Sequence, residues 1–188
     1  ETGGLRPDGE PGFDTMTGMI ELKSVMFPYF EETEFPYYEE PEFSPVSQPK
    51  EVVDEYPLVY TTGGRNLSMF HSEHRQVPRM RALHPEPTAL VPLDIAEKFD
   101  IKTGDWVILR NQYGKCKRKV VLDSTMAPGI ASTDHGWWFP EAEGRSEEDG
   151  LFGALEYNCN MLFKFDQGKS GFGCDYKNML VTIDKIEE

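Results

Sequence analysis

The chain has 188 residues and a formal net charge of -14, with 33 acidic and 19 basic side chains. This length suits one ordinary domain with an extension. An acidic chain without a basic stripe is repelled by phosphate backbones and anionic lipid, which argues against nucleic acid or a membrane surface as a main partner. No apolar run approaches the length of about 20 residues that spans a bilayer, so no membrane insertion is predicted.

The cysteines Cys116, Cys159 and Cys174 form no CxxC pair and are odd in number. This spacing argues against a disulfide framework and against a Cys-ligated zinc or iron-sulfur site, and it predicts thiols in or near the core. The first residues show neither a basic nor an apolar signal region. The chain is therefore interpreted as a piece of a longer protein whose targeting signal, and hence compartment, is not predicted.

Residues 1–56 are predicted to form an extended acidic segment. They hold 14 of the acidic side chains, and 8 of the 14 prolines fall within residues 1–57. Proline at this density disfavours helix and interior strand. The stretch "FPYFEETEFPYYEEPEF" carries more aromatic rings than a solvated linker normally has. A strap that lies against a surface is favoured over a disordered linker, and it would join upstream domains to the domain that follows.

Residues 57–188 are predicted to form a mainly β domain with one or two short helices. Six strand-like runs separated by turn signals are "YPLVYTT", "TALVPL", "DWVILRNQ", "YGKCKRKVVLD", "GIAST" and "NMLVTI". The stretch "PLDIAEKFDI" predicts a helix with Asp94 as N-cap or first-turn acid. Short strands, little helix and glycine turns indicate a small closed β-barrel.

The stretch "YTTGGRNLSMFHSEHR", residues 60–75, allows three interpretations. His71 and His74 form an HxxH pair, but no third ligand stands at a recognisable spacing. Glycines after a strand expose backbone N–H groups, and the Arg65 guanidinium can meet a phosphate or a heteroaromatic edge. A plain structural turn is the third interpretation, because neither the dinucleotide nor the P-loop fingerprint is present.

Five motifs in order resemble the C-terminal domain of the dimethyl sulfoxide reductase family of molybdopterin oxidoreductases. They are "YTTGGRNLSMFHS", with one extra glycine before Arg65, "LVPLDIAEKFDIKTGDWVIL", "APGIASTDHGWW", "NCNMLF" and "DQGKSGFGCDYK". The earlier "GFDTMTGMIELKS" looks like a segment just upstream of that domain. The resemblance implies a six-stranded double-psi β-barrel that binds molybdopterin guanine dinucleotide, with molybdenum or tungsten in the parent enzyme.

The resemblance also implies which residues bind the cofactor. One loop would contact the pterin dinucleotide through Thr62, Gly63 and Arg65. The cluster that follows it would contribute Phe70, His71 and Ser72. Polar contacts at the other end of the cofactor would come from Asn158, Asn160, Tyr176 and Lys177. His135 and Trp137 fall in a loop that lies near the cofactor in the family.

The family places its metal-ligating residue and any iron-sulfur motif upstream, so no catalytic residue, metal ligand or iron-sulfur cluster is predicted in this chain. The expected function is one wall of the cofactor cleft in a larger oxidoreductase subunit, resembling thiosulfate or polysulfide reductases. The expected partners are the upstream domains and an iron-sulfur electron-transfer subunit. Two alternatives stay open: a free-standing small subunit resembling that of formylmethanofuran dehydrogenase, and a non-catalytic double-psi barrel that serves as an interaction module.

Overall fold

The computed structural model describes residues 6–35, 37–64, 66–71, 73–137, 139, 153–164 and 177–187. The chain divides into two compact units, of which the first holds residues 1–39 and 166–174 and the second holds residues 40–165 and 175–188. The predicted junction at residue 56 therefore lies inside the second unit by this division. Within the described residues, no helix has the length and apolarity that crossing a membrane requires.

The described part of the first unit consists mostly of turns and bends, with one 3-10 turn, Phe27–Phe30. Pro28 stands in the first turn of this element, where its missing N–H costs nothing. Several large apolar side chains of the unit are exposed, among them Leu22 at 83% and Tyr38 at 80%. The many rings that the sequence places here thus do not form a core among the described residues of this unit.

Among its described residues, the second unit contains six strands and four short α-helices. In chain order they are α1 (Lys50–Glu55), β1 (Leu58–Thr62), α2 (Pro78–Leu83), β2 (Thr88–Val91), α3 (Leu93–Lys98), β3 (Trp106–Arg110), β4 (Lys115–Leu122), β5 (Ile130–Thr133), α4 (Ala154–Tyr157) and β6 (Met179–Lys185). Helix α1 interrupts the segment that was expected to run extended. It begins directly after Pro49 and contains no proline, so every residue can supply a helical N–H.

The six strands close into a barrel in the order β1-β5-β2-β4-β3-β6. The pairs β1/β5 and β2/β4 are parallel, and the other neighbouring pairs are antiparallel. Closure leaves no strand edge unpaired. The closed, mixed, six-stranded barrel confirms the predicted fold class, and all six strand-like runs and the helix α3 lie where the sequence predicts them.

The pairing directions define two ends of the barrel. Strands β1, β3 and β5 finish, and β2, β4 and β6 begin, at one end, which we call the upper end. The β3–β4 hairpin and the loops after β1 and β5 therefore lie at the upper end. Helix α3 follows β2 and lies at the opposite end. The upper end thus collects most of the loops that the sequence singles out.

The barrel interior is built by alternation along each strand. In β1, Leu58, Tyr60 and Thr62 are buried while the residues between them are partly exposed. The Tyr60 hydroxyl is hydrogen-bonded to Thr133 Oγ1 at 2.6 Å, so its polar tip is satisfied inside the core. Cys116 and Cys159 are buried free thiols, as predicted, whereas Cys174 lies outside the described residues.

One interior position carries a charge. Arg118 is 0% exposed and points inward from β4. Among the described residues its Nε and Nη1 have no hydrogen-bond partner, and its Nη2 donates to the Asp134 carbonyl at 3.5 Å. Burial acts to lower the pKa of Arg118, but Cys116, Cys159 and Tyr60 raise it above its ordinary value. The guanidinium therefore stays charged in the core.

Candidate functional site

The glycine pair Gly63-Gly64 follows β1 at the upper end. The Gly63 N–H donates to the Thr133 carbonyl at 2.9 Å, and a Cβ at position 63 would lie 2.8 Å from Ser132 Oγ. A side chain at position 63 would therefore require the Ser132 side chain to move. A Cβ at Gly64 would have no atom within 4 Å. The loop, which has one glycine more than the family pattern, therefore has one glycine, Gly63, in close contact with Ser132 and a second, Gly64, that faces open space.

Lys177 brings a positive charge to this glycine pair. It stands two residues before β6, which pairs with β1, and its Nζ donates to the carbonyls of Thr62 and Gly63, the latter at 3.2 Å. The lysine residue is exposed. A cation held beside exposed loop backbone can attract an anionic group such as a phosphate. The structure therefore brings together Thr62, Gly63 and Lys177, three of the predicted cofactor-binding residues, although the sequence motifs had assigned Lys177 to the other end of the cofactor.

The aromatic cluster at residues 70–71 lies in the loop between β1 and α2. Phe70 is 47% exposed, and its ring meets the His71 ring edge-to-face with the centroids 4.7 Å apart. The His71 ring stacks on His135 at 5.3 Å. His71 and His74 both have positive φ angles, 54° and 70°, which few residues other than glycine adopt. The structure thus joins two predicted loops through His71 and His135.

Arg75 was not among the predicted site residues, although it binds both of these loops. Its Nη2 donates to the carbonyls of His71 and Gly136, each at 3.1 Å. Its guanidinium carbon lies 3.4 Å from the centre of the Trp137 ring. The side chain is only 2% exposed. The signal available in the sequence was an arginine directly after the His-Ser-Glu-His cluster, a position that does not by itself indicate burial.

A carboxylate-imidazole pair adjoins this cluster. His84 Nε2 and Asp134 Oδ2 are 2.7 Å apart, and both side chains are mostly buried. The His84 ring meets the Trp137 ring edge-to-face with the centroids 5.0 Å apart. Because Asp134 directly follows β5, this pair connects the loop after β5 to the residues at the end of α2.

Asn160 lies in a 3-10 turn, Cys159–Leu162, and Asn158 is its N-cap residue. The turn packs on the β3–β4 hairpin. The Asn158 side-chain oxygen accepts from the Asn160 N–H at 2.9 Å and so caps the turn. Asn111 Nδ2 donates to the Leu162 carbonyl at 2.8 Å, which ties the turn to the hairpin. The structure therefore places both predicted asparagines on the hairpin at the upper end, and it gives Asn158 a local capping role.

Three predicted residues, Arg65, Ser72 and Tyr176, lie outside the described residues, so their roles stay predictions. Across the described part of the chain, His, Cys, Asp and Glu side chains do not form groups of three or more suited to a metal ion. The groups gathered at the upper end are an open glycine loop, an ammonium, aromatic rings and amides. This donor set fits an anionic ligand with heteroaromatic parts, such as a dinucleotide.

The fold and this upper end define a closed β-barrel domain whose loops suit a dinucleotide-type ligand, and comparison with known proteins identifies the family. The molybdopterin dinucleotide binding domain matches residues 58–177, and the chain belongs to that family. The chain is homologous to the C-terminal domain of dimethyl sulfoxide reductase family enzymes such as acetylene hydratase. The family's cofactor is molybdopterin guanine dinucleotide with molybdenum or tungsten, as the sequence motifs implied.

Three relatives show the extent of the similarity. Dopamine dehydroxylase of Eggerthella lenta is 34% identical over 138 residues, which cover 72% of this chain and 14% of that protein. Acetylene hydratase of Syntrophotalea acetylenica is 33% identical over 160 residues, covering 85% of this chain and 22% of that protein. The solved structure of acetylene hydratase from Pelobacter acetylenicus superposes with a TM-score of 0.82 at 27% identity, covering 97% of this chain and 25% of that one. The chain thus spans a quarter or less of each relative.

Proposed function

We propose that this chain forms one wall of the cleft that holds molybdopterin guanine dinucleotide in a larger molybdenum or tungsten oxidoreductase subunit. The observation that carries the proposal is the contact of the Lys177 ammonium with the Thr62 and Gly63 carbonyls, beside the open face of Gly64. It joins two segments that are 114 to 115 residues apart in the chain at one open loop.

The residues of the upper end would share the work of binding. Lys177, Arg65 and the backbone N–H groups of the loop would offset phosphate charge. Phe70 would offer an apolar face, while hydrogen bonds to the heterocycles would come from His71, Ser72, Asn158, Asn160 and Tyr176. The cofactor supplies the redox chemistry when it is bound, and these side chains bind and orient it.

The reaction of the whole protein would depend on parts of the subunit beyond this chain. Of the relatives, one is named a dehydroxylase and one a hydratase, so similar domains occur in enzymes of different reactions. We therefore propose that the metal ligand and the substrate-binding residues are supplied by other domains of the same subunit. An iron-sulfur subunit is the electron-transfer partner that we propose. The resemblance to thiosulfate or polysulfide reductases is retained as a proposal for the substrate class.

Replacing Lys177 with methionine should weaken the binding of GDP, the nucleotide part of the cofactor, to the 188-residue chain. Because an exposed charge pair contributes about 0.5–1 kcal/mol, the dissociation constant should rise about twofold to fivefold. Isothermal titration calorimetry of the wild type and the variant measures this ratio.

Two further variants serve as controls for this experiment. Lys177→Arg keeps the positive charge and should retain most of the affinity. Lys102→Met removes an exposed lysine just before β3, at the end opposite the glycine pair, and should leave the affinity unchanged. Equal weakening by Lys102→Met and Lys177→Met would contradict a local role for Lys177, because only net charge would then matter.

A further inference from the structure

We propose that Arg75 is a positioning residue that locks the loop after β1 onto the loop after β5 and so presents Phe70, His71 and His135 to the cofactor. This inference rests on the proposed function. One nitrogen of Arg75 holds a carbonyl from each loop, at 3.1 Å in both cases. The two loops are 61 residues apart in the chain at the Arg75–Gly136 contact.

The burial of Arg75 indicates that the residue has a structural task. The side chain is 2% exposed, and taking a guanidinium out of water is expensive. The flat face of the guanidinium lies 3.4 Å from the centre of the Trp137 ring, a distance at which a cation and an aromatic ring attract each other. A leucine or methionine of similar size would pack on the ring without the desolvation cost. The charged group is therefore explained by the hydrogen bonds it donates.

The backbone that Arg75 holds is strained, which explains why a clamp is needed. His71 and His74 both adopt left-handed φ angles, and such residues persist only where the surroundings fix them. The bond from Arg75 ends on the carbonyl of His71 itself. With that carbonyl fixed, the His71 ring stacks on His135, which directly precedes the other clamped residue, Gly136. His71 thus accepts the hydrogen bond from Arg75, has the strained backbone and forms the ring stack.

The test compares the wild type with Arg75→Met, which keeps the packing on Trp137 but removes every donor, and with Arg75→Lys, which keeps the charge without the planar fork. Arg79→Met, an exposed arginine of α2, is the matched control. Hydrogen exchange of the amides of residues 66–71 and 73–77 reports loop order without any ligand. Because a hydrogen bond from a charged group contributes about 1.5–3 kcal/mol, exchange should accelerate at least about tenfold in Arg75→Met.

Two more measurements separate positioning from general stability. The imidazole proton shifts of His71 and His135 should lose their mutual ring-current effect in Arg75→Met, while the amides of β1 to β6 keep their protection. The GDP dissociation constant should rise about tenfold, since the loop must then be ordered on binding. Arg75→Lys should give values between those of the wild type and Arg75→Met in all three measurements. If Arg75→Met does not fold, the comparison of Arg75→Lys with the wild type serves as the test. Arg79→Met should match the wild type.

The outcomes distinguish this inference from the proposed function. Unchanged loop exchange and unchanged histidine shifts in Arg75→Met would overturn the clamp. A loosened loop with unchanged GDP affinity would overturn its role toward the cofactor while the proposed function stands. Absence of GDP binding by the wild type would count against the proposed function, and the exchange data would still decide whether Arg75 locks the two loops.

Discussion

Replacing Gly114 with alanine is expected to destabilise the protein by about 3 kcal/mol, in the range of overpacking a close contact. A Cβ at this position would lie 2.3 Å from the Met161 carbonyl oxygen and 3.2 Å from its carbon, both of them backbone atoms. No rotamer change can relieve such a clash. The turn Cys159–Leu162, which carries Asn160, must therefore move away from the β3–β4 hairpin. Urea denaturation of the wild type and Gly114→Ala measures the change in free energy of unfolding.

The glycine pair offers the matched control for this change. Gly64→Ala adds the same methyl group where no atom lies within 4 Å, and its φ lies outside the left-handed region. It should leave stability unchanged or raise it by up to about 1 kcal/mol, because alanine restricts the unfolded chain. The amide signals of residues 158–162 should shift in Gly114→Ala only. A Gly114→Ala protein as stable as the wild type would show that the turn does not pack tightly on the hairpin.

The second large effect is a loss of stability between about pH 9 and pH 11. Burial raises the pKa of the Cys116 thiol from 9.0 to about 11, and the charge of Arg118 offsets this only in part. The folded state therefore binds the thiol proton more tightly than the unfolded state does. Its contribution is fully present below the unfolded pKa near 9 and disappears as the pH rises through the folded value. The loss amounts to about 3 kcal/mol.

Comparison of the wild type with Cys116→Ala isolates the contribution of this thiol to the pH dependence of stability from that of the other groups that ionise in the same pH range. Lysines and tyrosines are common to both proteins, so their effects cancel in the difference between the two stability-pH curves. Tyr60, whose pKa burial also raises well above 10, acts in the same direction at higher pH in both proteins. The variant is expected to be less stable at pH 7, because a buried group is removed. Its free energy of unfolding should fall less than that of the wild type between pH 9 and 11. Parallel curves for the two proteins would contradict the burial of a protonated thiol.

The barrel could be predicted from the sequence because its signals are local. Alternating apolar residues and glycine turns mark each strand, and the stretch "LDIAEK" marks α3. Helix α1 was missed because the proline-rich composition of residues 1–56 outweighed a short stretch that lacks proline. The pattern "KCKRKVV" also indicates that Arg118 is buried, because strict alternation places it on the same face of the strand as Cys116 and Val120.

The candidate site was predicted less completely because its contacts are long-range. Resemblance to a family indicated the loops, but the sequence alone could not show that Lys177 reaches Thr62 or that Arg75 joins His71 to Gly136. Nor could it distinguish Gly63 from Gly64, which differ only in what a side chain would meet. An isolated arginine in a polar stretch is normally exposed, so burial of Arg75 requires the folded arrangement of both loops.

The most direct test of the central claim is a map of the amide chemical shifts that change when GDP is added to the 188-residue chain at up to millimolar concentration. The amides of residues 62–64, of residues 70–71 and of Lys177 should shift together and saturate with one dissociation constant. Residues of α3 and the turn around Gly104, at the opposite end, should stay unchanged. Shifts confined to that opposite end, or no shift at the glycine loop at all, would contradict the assignment of the upper end as the cofactor-binding wall.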